Sequence, residues 1–269
     1  MPGGQQGGDE PGTEVAGGSG DEDAHGAPVR WGDGRGDESR RGASPSIDGV
    51  AHAQHPEAPV DRRPPWAAVA VIALCLLIGA GFLYGTFVVG YDTALFFQFS
   101  FVLAACWVAV YIAGLAIRDG RTSAERASLG RAIGLGALGG FAVGIVSIIG
   151  AWVLSLLPWT ADLIVGVLGP IRAENFTPVF ITALLVGATE ELAFRGGVFA
   201  LFRRRPVLWS TVIYAIITCA TINPALVVAT VVLGVPFAWL RAWTGRVVAA
   251  VTAHVVWTTV TLTVLSVLV

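Results

Sequence analysis

"GATEELAFRGGVF", residues 187–199, sets two adjacent glutamates and an arginine inside an apolar run of membrane-spanning length. An ionisable side chain in the hydrocarbon core costs about 3 kcal/mol or more without a partner, so it marks a functional site by default. Glu191 and Arg195 are four residues apart, on one helix face, and can pair. Glu190 is turned about 100° away from that face and cannot share the arginine as well. It is left over, and a carboxylate left over in such a place is available for proton transfer. The plainer alternative is that the three charges satisfy one another or nearby helix ends.

The rest of the chain supplies the membrane. Of 269 residues, 54% are hydrophobic and only 13% charged, with a mean hydropathy of +0.69. That charged share is about half of what a soluble globular protein carries, so lipid replaces water as the solvent beyond residue 65. Apolar runs cover about 66–89, 95–117, 132–157, 177–201, 207–222, 225–241 and 247–269, the fifth and sixth being short. A crossing takes roughly 20 helical residues, and an open strand would leave backbone groups unpaired in lipid. The expected fold is all-α: a polytopic transmembrane bundle of about seven spans over residues 65–269. Residues 1–64, rich in Gly, Pro, Asp and Glu, form an expected disordered tail, too poor in apolar groups to offset chain entropy. The start lacks the basic and apolar regions of a signal peptide.

Charge placement orients the bundle. The chain has 17 arginines and no lysine. Arg62 and Arg63 precede the first span, and Arg118, Arg121, Arg126 and Arg131 follow the second. Arg203, Arg204 and Arg205 follow the fourth, while Arg241 and Arg246 flank the turn after the sixth. With seven spans these loops share one side, which the positive-inside rule makes cytoplasmic together with the N-terminus. A multi-pass protein of the cell membrane follows. Nucleic acid is excluded as a partner, since 12 of the 19 acids crowd residues 9–61 and no basic aromatic patch exists. Cys75, Cys106 and Cys219 lack metal-type spacing and are expected as buried small hydrophobes. Gly136, Gly140 and Gly144, at intervals of four, form a stripe suited to close helix packing. The stretch "PWTADLIVGVLGPIRAENF", residues 158–176, is mixed in character and leaves an interfacial or re-entrant segment open.

"EELAFRG" resembles the EExxxR signature of the CAAX-type prenyl-endopeptidase family, also called the ABI or CPBP intramembrane proteases. The resemblance covers about residues 130–269. The family's second motif is an aromatic followed four residues later by histidine; here Tyr214 and Thr218 stand in those places. Its third is a histidine followed four later by asparagine, after a "TG" turn; here "TGRVVAAVTAHVVWTTV" supplies His254 and Thr258.

The resemblance implies an intramembrane endopeptidase acting on membrane-associated peptides, with Glu190 as general base and His254 as oxyanion donor. It makes Glu191 and Arg195 the supporting pair, and Thr218 and Thr258 the replacements for the second-motif histidine and the asparagine. Threonine can hold water but cannot shuttle a proton near neutral pH. His254 is the one histidine after residue 55, so no realignment restores the missing imidazole. No cofactor is expected: family naming brings in a divalent metal such as zinc, but one histidine with one or two carboxylates falls short of the usual three ligands. Prenylated substrates follow from the family name alone; peptide maturation, bacteriocin immunity and regulated proteolysis remain open. Two other readings stand beside the endopeptidase. One is a catalytically impaired relative that binds a membrane peptide as an immunity or scaffold protein. The other is a transporter using Glu190 and Arg195, which needs further polar residues along several spans, whereas Asp92, Gln98 and Ser147 make no row.

Overall fold

The computed structural model describes residues 66–91, 93–117, 125–168, 171 and 174–268. The expected tail over 1–64 lies outside them, as do Asp92, Arg118, Arg121 and Arg172. Helices α1 (Trp66–Val89), α2 (Ala94–Leu115), α3 (Leu129–Ser155) and α4 (Pro158–Leu168) come first. Then follow α5 (Phe176–Leu201), α6 (Pro206–Thr218, prolonged by a 3-10 turn over Cys219–Thr221), α7 (Pro224–Thr244) and α8 (Val247–Leu268). No strand occurs among the described residues.

Six of these helices are long and apolar enough to cross a membrane: α1, α2, α3, α5, α7 and α8. The fifth of the seven expected spans is a shorter piece, Pro206–Thr221. Its length, about 25 Å at roughly 1.5 Å per residue, falls short of a hydrocarbon core about 30 Å thick. Local chemistry ends it. Ile222 takes a left-handed φ of 54°, and Asn223 caps the next helix, its side-chain oxygen accepting from the Ala225 and Leu226 amides. Pro224 then starts α7 at a position where no amide proton is needed.

The sixth span, read as short and ending at residue 241, runs on through Thr244 to a left-handed Gly245 with φ 74°. Arg241 is only 5% exposed, and its guanidinium is satisfied within the protein, so the helix has no reason to stop there. The mixed stretch after α3 forms the 11-residue helix α4, tied to the turn before α7 where Asn223 donates to the Leu163 carbonyl at 3.3 Å.

Outward faces carry Leu74, Leu77, Leu138 and Val146, all exposed, as lipid contact demands. Cys219 is exposed too, on the outer side of the 3-10 turn, rather than buried as expected; Cys75 and Cys106 are half-buried. At one end, the Arg126 and Ala127 amides both donate to the Thr244 carbonyl at 3.1 Å, and Arg246 pairs with Glu125. The basic loop before α3 and the α7–α8 turn therefore sit together, as the distribution of arginines requires.

The glycine stripe is a packing device. A Cβ on Gly136 or Gly140 would overlap the carbonyl oxygen of Ala249 or Ala253 on α8, and one on Gly144 would lie 3.1 Å from Val260. Gly140→Val is expected to force α3 from α8 and cost about 1–3 kcal/mol, the range for overpacking a tight core. A thermal midpoint in detergent unchanged from wild type would show that the contact tolerates a side chain.

Candidate active site

The glutamates lie where α5 changes its winding. The α-helical part ends at Glu191, and Leu192–Val198 is a π-helical segment. Such segments are rare and gather at functional sites, because a widened turn re-aims side chains and loosens the carbonyl ladder. Here the Arg195 carbonyl accepts from Arg241 Nε at 3.2 Å, and the Arg241 guanidinium lies 5.5 Å over the Phe199 ring. The two glycines after Arg195 also have a cause. A Cβ on Gly196 would strike the Tyr111 ring, and one on Gly197 the Val110 carbonyl, so the pair allows α2 to lie against the π segment.

Glu191 is the hub of a buried ionic group. Its Oε2 lies 3.1 Å from Arg195 Nε, and its Oε1 lies 3.0 Å from His254 Nδ1; both glutamate and arginine are fully buried. The Arg195 N–H is close enough for an ion pair but is not directed along a hydrogen bond. The guanidinium instead faces the Tyr214 ring at 4.7 Å, a cation–π contact. The expected Glu191–Arg195 pair is therefore present, and His254 joins it. An imidazole held through Nδ1 on a carboxylate presents Nε2 to whatever it works on. That nitrogen passes close over Gly187, where a Cβ would come within 2.7 Å of it. Gly187→Ala is expected to displace the imidazole and cut turnover about tenfold or more, since small misplacements cost that much at a reacting centre; an unaltered rate would separate His254 from the chemistry.

Glu190 points elsewhere, to a cavity of about 260 Å³ whose wall also includes Tyr214, Thr218, His254 and Thr258. Its Oε2 accepts a hydrogen bond from the Tyr214 hydroxyl at 2.7 Å. Most other hydroxyls on the wall are already occupied. Thr86, Thr182, Thr218 and Thr230 donate to carbonyls three or four residues back in their own helices, at 2.7–2.9 Å. Such back-bonding leaves threonine nearly apolar toward the cavity. The result is an apolar hollow with few convergent polar groups, the usual make-up of a binding site. Tyr91, in the turn joining α1 and α2, lines it as well; burial pushes its hydroxyl up to about 12, so it stays protonated.

Of the residues singled out from sequence, Glu190, Thr218, His254 and Thr258 share this wall, while Glu191 and Arg195 lie behind it. Thr218 is tied to the Tyr214 carbonyl at 2.9 Å and to the Thr230 hydroxyl at 3.1 Å. Two residues have a part at the site that the sequence did not assign them. Tyr214 served in the sequence only as an aromatic match, and Arg241 as a loop charge. Leu83, Phe96 and Leu103 further show that α1 and α2 complete the cavity, beyond the span of the family resemblance.

A zinc site would need about three protein ligands. Among the described residues no group of three or more His, Cys, Asp or Glu side chains converges. Glu191 and His254 Nδ1 are committed to each other and to Arg195. The donor set does not fit zinc, and no step below runs through a metal.

No curated protein and no solved structure matches the chain. Residues 172–260 match the family model described as Type II CAAX prenyl endopeptidase Rce1-like, a narrower stretch than the 130–269 of the sequence resemblance. That stretch holds the two glutamates, Arg195, Tyr214 and His254, and over it this membrane protein is similar to the CAAX prenyl endopeptidase-like family.

Proposed function

We propose that the chain is an intramembrane endopeptidase that hydrolyses peptide bonds of membrane-associated substrates with water activated by Glu190. The supporting observation is a carboxylate and an imidazole on the wall of one apolar cavity, each fixed by a partner outside the reacting centre. Glu190 takes a proton from water as its oxygen attacks the scissile carbonyl carbon. His254, as imidazolium, donates from Nε2 to the oxyanion, and Glu191 stabilises the positive charge as a carboxylate does behind a catalytic histidine. The tetrahedral intermediate then collapses, the C–N bond breaks, and the proton held by Glu190 passes to the leaving amine. Water adds once, and one carboxylic acid and one amine leave.

A second reading rests on Thr218, whose hydroxyl is engaged with Tyr214 and Thr230 where the family places a histidine. A chain lacking that acid–base group binds a membrane peptide without cutting it. The transporter reading is weaker still: Gln98 faces outward and Ser147 accepts from Trp257 Nε1 at 2.9 Å, so neither extends a polar path. The deciding test uses purified protein in proteoliposomes and two internally quenched peptides, one membrane-inserted and one prenylated at its C-terminus. Cleavage of either, with two products by mass, is expected. Saturable binding of both with no product would make the chain a peptide-binding relative.

A further inference from the structure

We infer that the Tyr214 hydroxyl is the positioning partner of Glu190, holding its Oε2 so that Oε1 is presented to water in the cavity. This rests on the endopeptidase reading and adds a residue to it. Among the described residues lining the cavity, Tyr214 carries the hydroxyl that bonds a carboxylate, across from α6 to α5 at 2.7 Å. The hydroxyls of Thr86, Thr182, Thr218 and Thr230 on the same wall bond backward to their own helices.

The ring is itself packed against two neighbours. It stacks on Phe194 with centroids 4.3 Å apart, and the Arg195 guanidinium sits 4.7 Å from its centre. Phe194 in turn packs on the fully buried Trp107 of α2 at 5.3 Å. These contacts hold the ring, and with it the hydroxyl, at one place on the wall. Glu190 has three rotatable bonds and, among the described residues, no ion pair of its own, so without that hydroxyl its carboxylate loses the geometry that general-base catalysis needs. Rings need only be aromatic to stack here; a hydroxyl is required only if it acts on Glu190.

The test is a set of variants assayed with whichever quenched peptide the wild type cuts. Tyr214→Phe keeps the stack and the cation–π face and removes one oxygen, so the thermal midpoint is expected within a few degrees of wild type. Its kcat is expected to fall about a hundredfold with KM within about twofold, the split that marks a lost transition-state interaction. On a Glu190→Asp background, which withdraws the carboxylate by one methylene, Tyr214→Phe is expected to cost nothing further, because the partner is already out of reach. A Tyr214→Phe enzyme with kcat within about threefold of wild type overturns the assignment, as does an additive loss on the Asp background. If Glu190→Gln also cuts at the wild-type rate, the endopeptidase reading itself fails; if Glu190→Gln is inactive while Tyr214→Phe is normal, only the tyrosine's role does.

Discussion

Glu191→Ala is expected to lower the thermal midpoint by about 10 °C and to abolish turnover, although Glu191 does not touch the cavity. Its two oxygens serve two partners from different places in the fold, Arg195 one turn along α5 and His254 on α8. Removing the carboxylate leaves a guanidinium that is fully buried, with NH1 and NH2 already lacking hydrogen-bond partners among the described residues. Stranding one member of a buried pair costs about 3–5 kcal/mol, several times a surface pair, because the surviving charge has no water to return to. In a domain of this size each kcal/mol is worth roughly 2–4 °C. Removing both partners together should cost less than the two single losses combined, since Glu191→Ala/Arg195→Ala leaves no stranded guanidinium. The measurement is thermal unfolding in detergent for the three variants. A Glu191→Ala protein as stable as wild type would mean that the arginine finds another partner or that the hub contributes nothing.

Much of this fold was legible because membrane burial is a one-dimensional signal. Runs of apolar residues mark α1, α2, α3 and α8 directly, and glycines at intervals of four announced a close helix contact, though not that α8 makes it. What failed to show were features set by partners distant in sequence. The end of α7 looked like a charge boundary, because nothing near Arg241 reveals that the Arg195 carbonyl, 46 residues earlier, receives it. The shortness of α6 was half visible in "INP", where asparagine and proline restart a helix, but the left-handed Ile222 ahead of them has no sequence mark. At the site, the i,i+4 spacing gave the Glu191–Arg195 pair and left Glu190 over. It could not give the third member: nothing near His254 in sequence shows that its Nδ1 bonds Glu191 while the residue lines the same cavity as Glu190. The π segment escapes any reading by α-helical period, since its seven residues follow a different one.

Glu190→Gln is expected to reduce kcat about 10²–10⁴-fold while leaving the thermal midpoint nearly unchanged. The contrast with Glu191 follows from where each charge ends. Glu191 is sealed behind the wall among cations; Glu190 opens on the cavity and makes its hydrogen bond to a neutral tyrosine. Glutamine keeps the length and an oxygen for Tyr214 to donate to, so packing and that bond survive, but an amide cannot take a proton from water. Binding of a quenched peptide should therefore persist with KM close to wild type, and only the chemical step should be lost. Thr218→His adds a sharper discrimination. If the helix carries the register that the family resemblance gives it, an imidazole there reaches the same hollow and raises the wild-type rate about tenfold, but it leaves the Glu190→Gln rate unchanged because no base remains to assist. Two imidazoles would then serve one carboxylate. A Glu190→Gln enzyme that retains full turnover would place the water-activating group on some other residue and leave the buried Glu191 cluster as a structural device.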